Sequence, residues 1–225
     1  MKTTSDDTIP VMNARRSLSK FFQGTVDREM LFIKLSTNGL ILKNSSLPSV
    51  VGIAATKYLL MAGRKMGFIS QYERFYFPRE SYNPKAVMLN GLDEETLASK
   101  RQGCKYPEHF DEDEESLREY CQDTHLFVGH NIDGFEAKLL PWLNDLDKRA
   151  FDIMKENVEI LRLEHESGCY SGDWKWPNIR ELSDYYSIPF RNHLAISGMQ
   201  HLQLIASIFQ EMLTRSALRR IVISS

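Results

Sequence analysis

The stretch from Leu31 to Leu40, LFIKLSTNGL, constrains this chain most. An apolar run, Met30-Leu31-Phe32-Ile33, breaks into Ser36-Thr37-Asn38-Gly39. Such a run reads as a buried strand that ends in a turn, with Gly39 supplying the turn's backbone freedom.

The strand pattern continues downstream. Val50 to Leu59 reads as a mostly buried second strand, Ala62 to Gly67 as a hairpin turn, and Phe68 to Phe77 as the returning strand. Pro84 to Asn90 predicts a short helix stopped by Gly91, and Asp93-Glu94-Glu95 opens another with acids at its N-terminus. The acid run Asp111 to Glu115 leads into a helix over Ser116 to Gln122. Consecutive carboxylates on a helix point in different directions, so the run reads as a solvated helix start and not a metal site. Leu126 to Gly129 is a short strand, Phe135 to Leu146 an amphipathic helix, and Phe151 begins an element running to Leu161. Pro177 fits the first turn of a helix over Asn178 to Tyr186. Leu202, Ile205, Phe209 and Met212 give helical spacing over Met199 to Leu213. The tail, 215–225, is left between an extra strand and a partner contact.

A length of 225 residues suits one α/β domain over 29–214, with a polar extension at 1–28 and the tail beyond. The net charge of −2 gives no global support for strong nucleic-acid binding. Three cysteines without paired spacing suggest a reduced, cytoplasmic protein. No membrane helix or signal peptide is expected. Cys104 with His109, and His165 with Cys169, are too loosely spaced to predict a zinc site.

Six segments, in order, resemble the DEDDh subclass of the DnaQ-like 3′–5′ exonucleases. In the first, Thr37, Gly39 and Leu40 match, while Lys34 and Ser36 stand where the family has an aspartate and a glutamate. In the second, Phe127-Val128-Gly129-His130-Asn131 leads through Asp133 and Phe135 to Glu136, at a metal-binding aspartate's position. In the third, His193 and Ala195 match, and Gly198 replaces the last aspartate. The weaker segments are Tyr76-Phe77-Pro78 through Glu95, Phe151 to Met154, and Lys175 to Leu182.

The resemblance implies a ribonuclease-H-like mixed sheet flanked by helices. It also implies a two-metal phosphodiesterase site whose ligand set is mostly gone. Of the site positions, His193 remains as the relic of a general base and Glu136 as a displaced carboxylate. No metal or cofactor is expected. The reading is a pseudo-nuclease that binds a nucleic-acid end weakly, or a protein partner. Thr37, Asn38, His130, Asn131 and Phe135 are expected to line its groove. The alternative is an active exonuclease that gathers Asp133, Glu136 and an acid such as Asp173 or Asp184 around magnesium or manganese. In the first reading the Lys34 ammonium pairs with the Glu136 carboxylate in the vacated space. An open cleft would make that pair a wet one, contributing about 0–1 kcal/mol.

Overall fold

The computed structural model describes residues 28–42, 46–61, 65–146, 150–165, 174–190 and 197–223. The expected N-terminal arm lies outside the described residues.

The first strand, β1 (Arg28–Thr37), pairs antiparallel with β2 (Val50–Leu60). In turn, β2 pairs antiparallel with β3 (Met66–Phe75). On the other flank of β1 lie β4 (Leu126–Gly129) and β5 (Ala150–Asp152), both parallel. The order is β3-β2-β1-β4-β5, so β1 is the central strand. That position explains its near-continuous burial, because both faces of a central strand are covered. The period of two still sorts its residues. Met30 and Phe32 join Ala54, Val128, Phe151 and Phe209 in one core. Leu31, Ile33 and Leu35 join Tyr76, Phe110, Leu117 and Phe127 in the other. Lys34 and Ser36 continue the series of Met30 and Phe32, which fixes the face on which the site lies.

The short helices follow their capping residues. In α1 (Pro84–Asn90), Asn83 caps the start and Gly91, at φ 69°, closes the end in the left-handed region. Asp93 caps α2 (Glu94–Lys100) through the amide of Thr96. Asn178 and Glu181 form a reciprocal capping box on α7 (Ile179–Tyr186). Pro177 therefore precedes the cap and does not occupy the first turn.

Several expectations are corrected. The single helix over Phe135 to Leu146 is broken into α4 (Glu136–Leu139) and a 3-10 segment, Pro141–Leu146. Pro141 has no N–H and pushes Leu140 out of helical geometry, to φ −122°, ψ 82°. The element after Phe151 is β5 followed by two separate helical turns, α5 (Ile153–Glu156) and α6 (Val158–Leu161). The third strand ends at Phe75, before Tyr76 and Phe77, and begins at Met66, inside the expected hairpin turn. The last helix, α8 (Gly198–Ile223), carries straight through the tail, so no extra strand forms over 215–223.

The acid run is not uniformly solvated. A 3-10 turn, Phe110–Glu112, precedes α3 (Glu114–Cys121), and Asp113 between them is buried. Its Oδ2 accepts from Arg74 at 2.5 Å and from the Tyr76 hydroxyl at 2.8 Å. Asp111 and Glu112 stay exposed and meet Arg79. The 3-10 turn breaks the run's regular phase, and Arg74 on β3 captures the residue that turns inward. Asp113→Ala leaves Arg74 without its acceptor and should cost about 3 kcal/mol in chemical denaturation. Asp111→Ala, at an exposed site, should leave the midpoint unchanged.

Candidate functional site

Glu136 opens α4 at the end of a tight turn. Asn131 takes φ 61°, in the left-handed region that asparagine tolerates. Its amide donates to Asp152 Oδ1 at 2.9 Å, and Met154 N donates to the same oxygen at 3.0 Å. A Cβ at Gly134 would lie 2.1 Å from Asn131 Oδ1, so the Asn131 side chain packs in the room glycine leaves. The result is that Glu136 points back at β1.

Lys34 Nζ donates to Glu136 Oε1 at 2.8 Å, and Leu35 N donates to the same oxygen at 3.3 Å. The ammonium also sits 4.3 Å from the centroid of the Phe135 ring. Glu136 is 0% exposed, while the Lys34 side chain keeps 20%. The pair expected in the space of the metals is therefore formed, but the expected wetness is corrected. The carboxylate is wholly buried against β1. Burial pushes the Glu136 carboxyl above its ordinary range, against the opposing pull of Lys34.

Two further polar groups are buried near this pair: Asp152, which holds the turn that carries Glu136, and His201, which feels the Lys34 ammonium. Asp152 is buried at the end of β5, and burial raises its carboxyl despite the two amides it accepts. His201 lies one turn into α8. Burial, the Lys34 ammonium and the His130 ring push its pKa down to about 3. The His130 and His201 rings are 6.3 Å apart. Glu136 Oε2, Asp152 Oδ2, Asn131 Oδ1 and His201 Nε2 are all buried without a protein partner. A signal for His201 existed in the sequence: it shares the helical stripe of Ile205, Ile208 and Met212, where a polar residue is out of place.

Beside these groups lies a cleft of about 270 Å³, lined by Ser36, Gly52, Ala54, Phe75, Lys100 and Gly198 among others. Lys100 Nζ stands 4.4 Å from the centroid of the Phe75 ring. Gly198 begins α8 against β2, and a Cβ there would approach Ala54 Cβ to 3.0 Å. Ser36 and Gly198, far apart in sequence, thus meet at one cleft. Lys34 and Glu136 meet beside it.

The expected groove residues are placed differently. Thr37 is buried and donates to the Gly39 carbonyl at 2.7 Å. Asn38 is buried and donates to the Ser81 carbonyl at 3.0 Å. Both pin the loop after β1, because a turn that leaves a central strand must satisfy its own polar groups. His130 Nε2 donates to the Pro177 carbonyl at 3.0 Å. Asn131 shapes the turn and Phe135 covers Lys34. None of the five lines the cleft. His193 lies outside the described residues.

The described residues do not fit a pair of divalent cations. Hard cations need several anionic oxygens. Glu136, the one carboxylate at the positions where the resemblance implies ligands, is committed to an ammonium. Among the described residues, no three His, Cys, Asp or Glu side chains converge as a metal group. Asp133, one acid of the rearranged alternative, is turned to Lys155 at 2.5 Å. Asp184 is exposed on α7, and Asp173 lies outside the described residues. Of the loosely spaced zinc pairs, His109 Nδ1 contacts the Phe77 carbonyl at 2.9 Å, and Cys169 lies outside the described residues.

No protein-family model and no curated protein matches the sequence. Solved structures do match. A full-length 3′-exonuclease superposes with a TM-score of 0.56 at 10% identity, over 86% of this chain and 63% of that one. The nuclease domain of 3′hExo, a DEDDh family member solved bound to rAMP, gives 0.53 at 9% identity, over 84% of this chain and 93% of that one. Cell-death related nuclease 4 gives 0.52 at 14% identity, over 83% and 64%.

Two predictions follow from these buried groups. Lys34→Ala strands Glu136 in a buried place and should cost about 3–5 kcal/mol. Lys34→Met combined with Glu136→Leu removes both charges and should recover most of that, so a double-mutant cycle in denaturant measures the coupling. The second concerns acid. A histidine whose folded pKa lies below its unfolded value of about 6.5 takes up a proton on unfolding. Its share of stability is complete above that pH and declines as the pH falls toward about 3. The decline for one proton is up to about 1.4 kcal/mol per pH unit, and His201→Gln should flatten it.

At these identities the superpositions speak to architecture, and the chain has the ribonuclease-H-like fold of the DEDDh-type exonucleases.

Proposed function

We propose that this protein is a metal-free member of the exonuclease fold that holds the end of a single nucleic-acid strand without cleaving it. The observation that carries the reading is the Lys34–Glu136 pair, 2.8 Å apart and buried where the resemblance puts the two metals. A fixed cation there repels an incoming dication and occupies the one remaining carboxylate. The cleft beside it supports a binding role, with Phe75 for stacking and Lys100 for a phosphate. The rAMP bound to the 3′hExo domain makes a mononucleotide the natural probe. With a net charge of −2, binding is weak and falls steeply as salt rises. The free thiols of Cys104 and Cys121 suit a reducing compartment, and the cytoplasm is the place we propose.

The reading predicts that AMP and short single strands bind equally well with a chelator and with magnesium or manganese. Lys100→Ala should weaken binding, measured by calorimetry or fluorescence anisotropy. No strand shortening should appear on gels with either metal. Cleavage that disappears with chelator and in Glu136→Gln would instead establish an active enzyme with a rearranged site. If neither AMP nor any strand binds, a protein partner becomes the surviving role.

The cleft also shapes any attempt to rebuild a nuclease. Lys34→Asp, Ser36→Glu, Glu136→Asp and Gly198→Asp together restore the ligand types. The Gly198 substitution drives a side chain into Ala54, at 3.0 Å from its Cβ. Manganese binding by calorimetry should therefore appear only when Ala54→Gly is added, with the protein folded in both cases.

A further inference from the structure

The register of the sheet lays two rows of side chains across the cleft. Lys34, Ala54 and Glu73 pair in one row, and Ser36, Gly52 and Phe75 in the next. Cross-strand partners share a face, so both rows lie on the side that carries α8. The middle residue of each row is small. Gly198 therefore comes down over Ala54, and Leu92 over Gly52, where a Cβ would lie 3.0 Å from Leu92 Cδ1. Between them the cleft stays open, with Phe75 and Leu92 as apolar walls and Glu73 as the one carboxylate among its described lining residues.

The polar lining is unevenly committed. Asn90 gives its amide nitrogen to the Thr37 carbonyl and accepts at its oxygen from Leu92 N. Gln200 Oε1 accepts from Ser197 N. Arg74, next to Glu73 in sequence, is taken by Asp113. Glu73 itself is exposed and pairs with no described side chain. Lys100 is exposed too and rests on the Phe75 ring without meeting Glu73. The cleft thus offers an acceptor-only group and a separate cation.

That arrangement discriminates among bases. An ionised carboxylate only accepts hydrogen bonds, through two oxygens side by side. Guanine presents two adjacent donors on its Watson–Crick edge, N1–H and the 2-amino group. Adenine and cytosine set one amino group beside a ring acceptor, and uracil and thymine flank one N–H with two carbonyls. A phosphate is repelled by Glu73 and drawn to Lys100, which fixes the direction in which a nucleotide enters. We propose, on the reading that this cleft holds the end of a strand, that Glu73 selects guanine as the base held there.

Calorimetric titration of the full chain with GMP, IMP and AMP, in chelator and at low salt, tests this. GMP is expected to bind about tenfold or more tighter than AMP, the discrimination of one bidentate base contact. IMP, which keeps N1–H and lacks the 2-amino group, should fall between them. Glu73→Gln exchanges one acceptor for a donor at an exposed position, so circular dichroism should be unchanged. It should erase the advantage of GMP without weakening AMP. Equal binding of GMP and AMP overturns guanine selection and leaves strand holding intact. A GMP preference that survives Glu73→Gln overturns the role of Glu73. If no nucleotide and no single strand binds, the strand-holding reading falls, and guanine selection with it.

Discussion

A carboxylate with no exposure and an ammonium with little can share a protein interior only when they meet. The Lys34–Glu136 contact is the constraint on which the rest of this site depends. It requires β1 to present Lys34 on the α8 side of the sheet. It also requires the turn after β4 to bring Glu136 back across that strand. The turn does so through one left-handed asparagine, held by Asp152 and given room by Gly134. Asp152 thus acts at a distance from the pair, as the anchor of the backbone that aims it. Phe135 then covers the ammonium with its ring.

The surroundings of this pair are rich in polar atoms that lack protein partners, on Glu136, Asp152, Asn131 and His201. Buried polar groups of this kind are usually satisfied by ordered water. The two ammonium protons of Lys34 not given to Glu136 face the same requirement. The interior around Lys34 and Glu136 is therefore polar, organised by one charge pair. It is not an apolar repair of the core. Beside it, Gly198 and Ala54 let α8 approach β2 closely. Small residues there leave the cleft open next to Ser36 while making an added side chain at Gly198 hard to seat.

Much of the architecture was legible in the chain. The apolar run of β1, the strand–turn–strand pattern that follows it, the stop at Gly91 and the acidic start at Asp93 are local signals written in neighbouring residues. The resemblance located Lys34, Ser36, Glu136 and Gly198. Local patterns failed where a distant group intervened. Pro141 broke a helix whose apolar spacing continued past it. Asp113 looked like its acidic neighbours until Arg74 and Tyr76, on another element, drew it inward.

The sequence by itself determined the buried first strand and most of the order of elements, because these depend on residue type and short-range spacing. Only the tertiary structure decided how dry the Lys34–Glu136 pair is, since burial is set by the elements that pack around it. It also showed that Thr37 and Asn38 hold the loop after β1 by hydrogen bonds to Gly39 and Ser81. The roles of Asp152 and His201 came from the fold as well: Asp152 at the end of β5 holds the turn that carries Glu136, and α8 brings His201 near Lys34. A side chain's partners across the fold are long-range facts, and no window of sequence contains them.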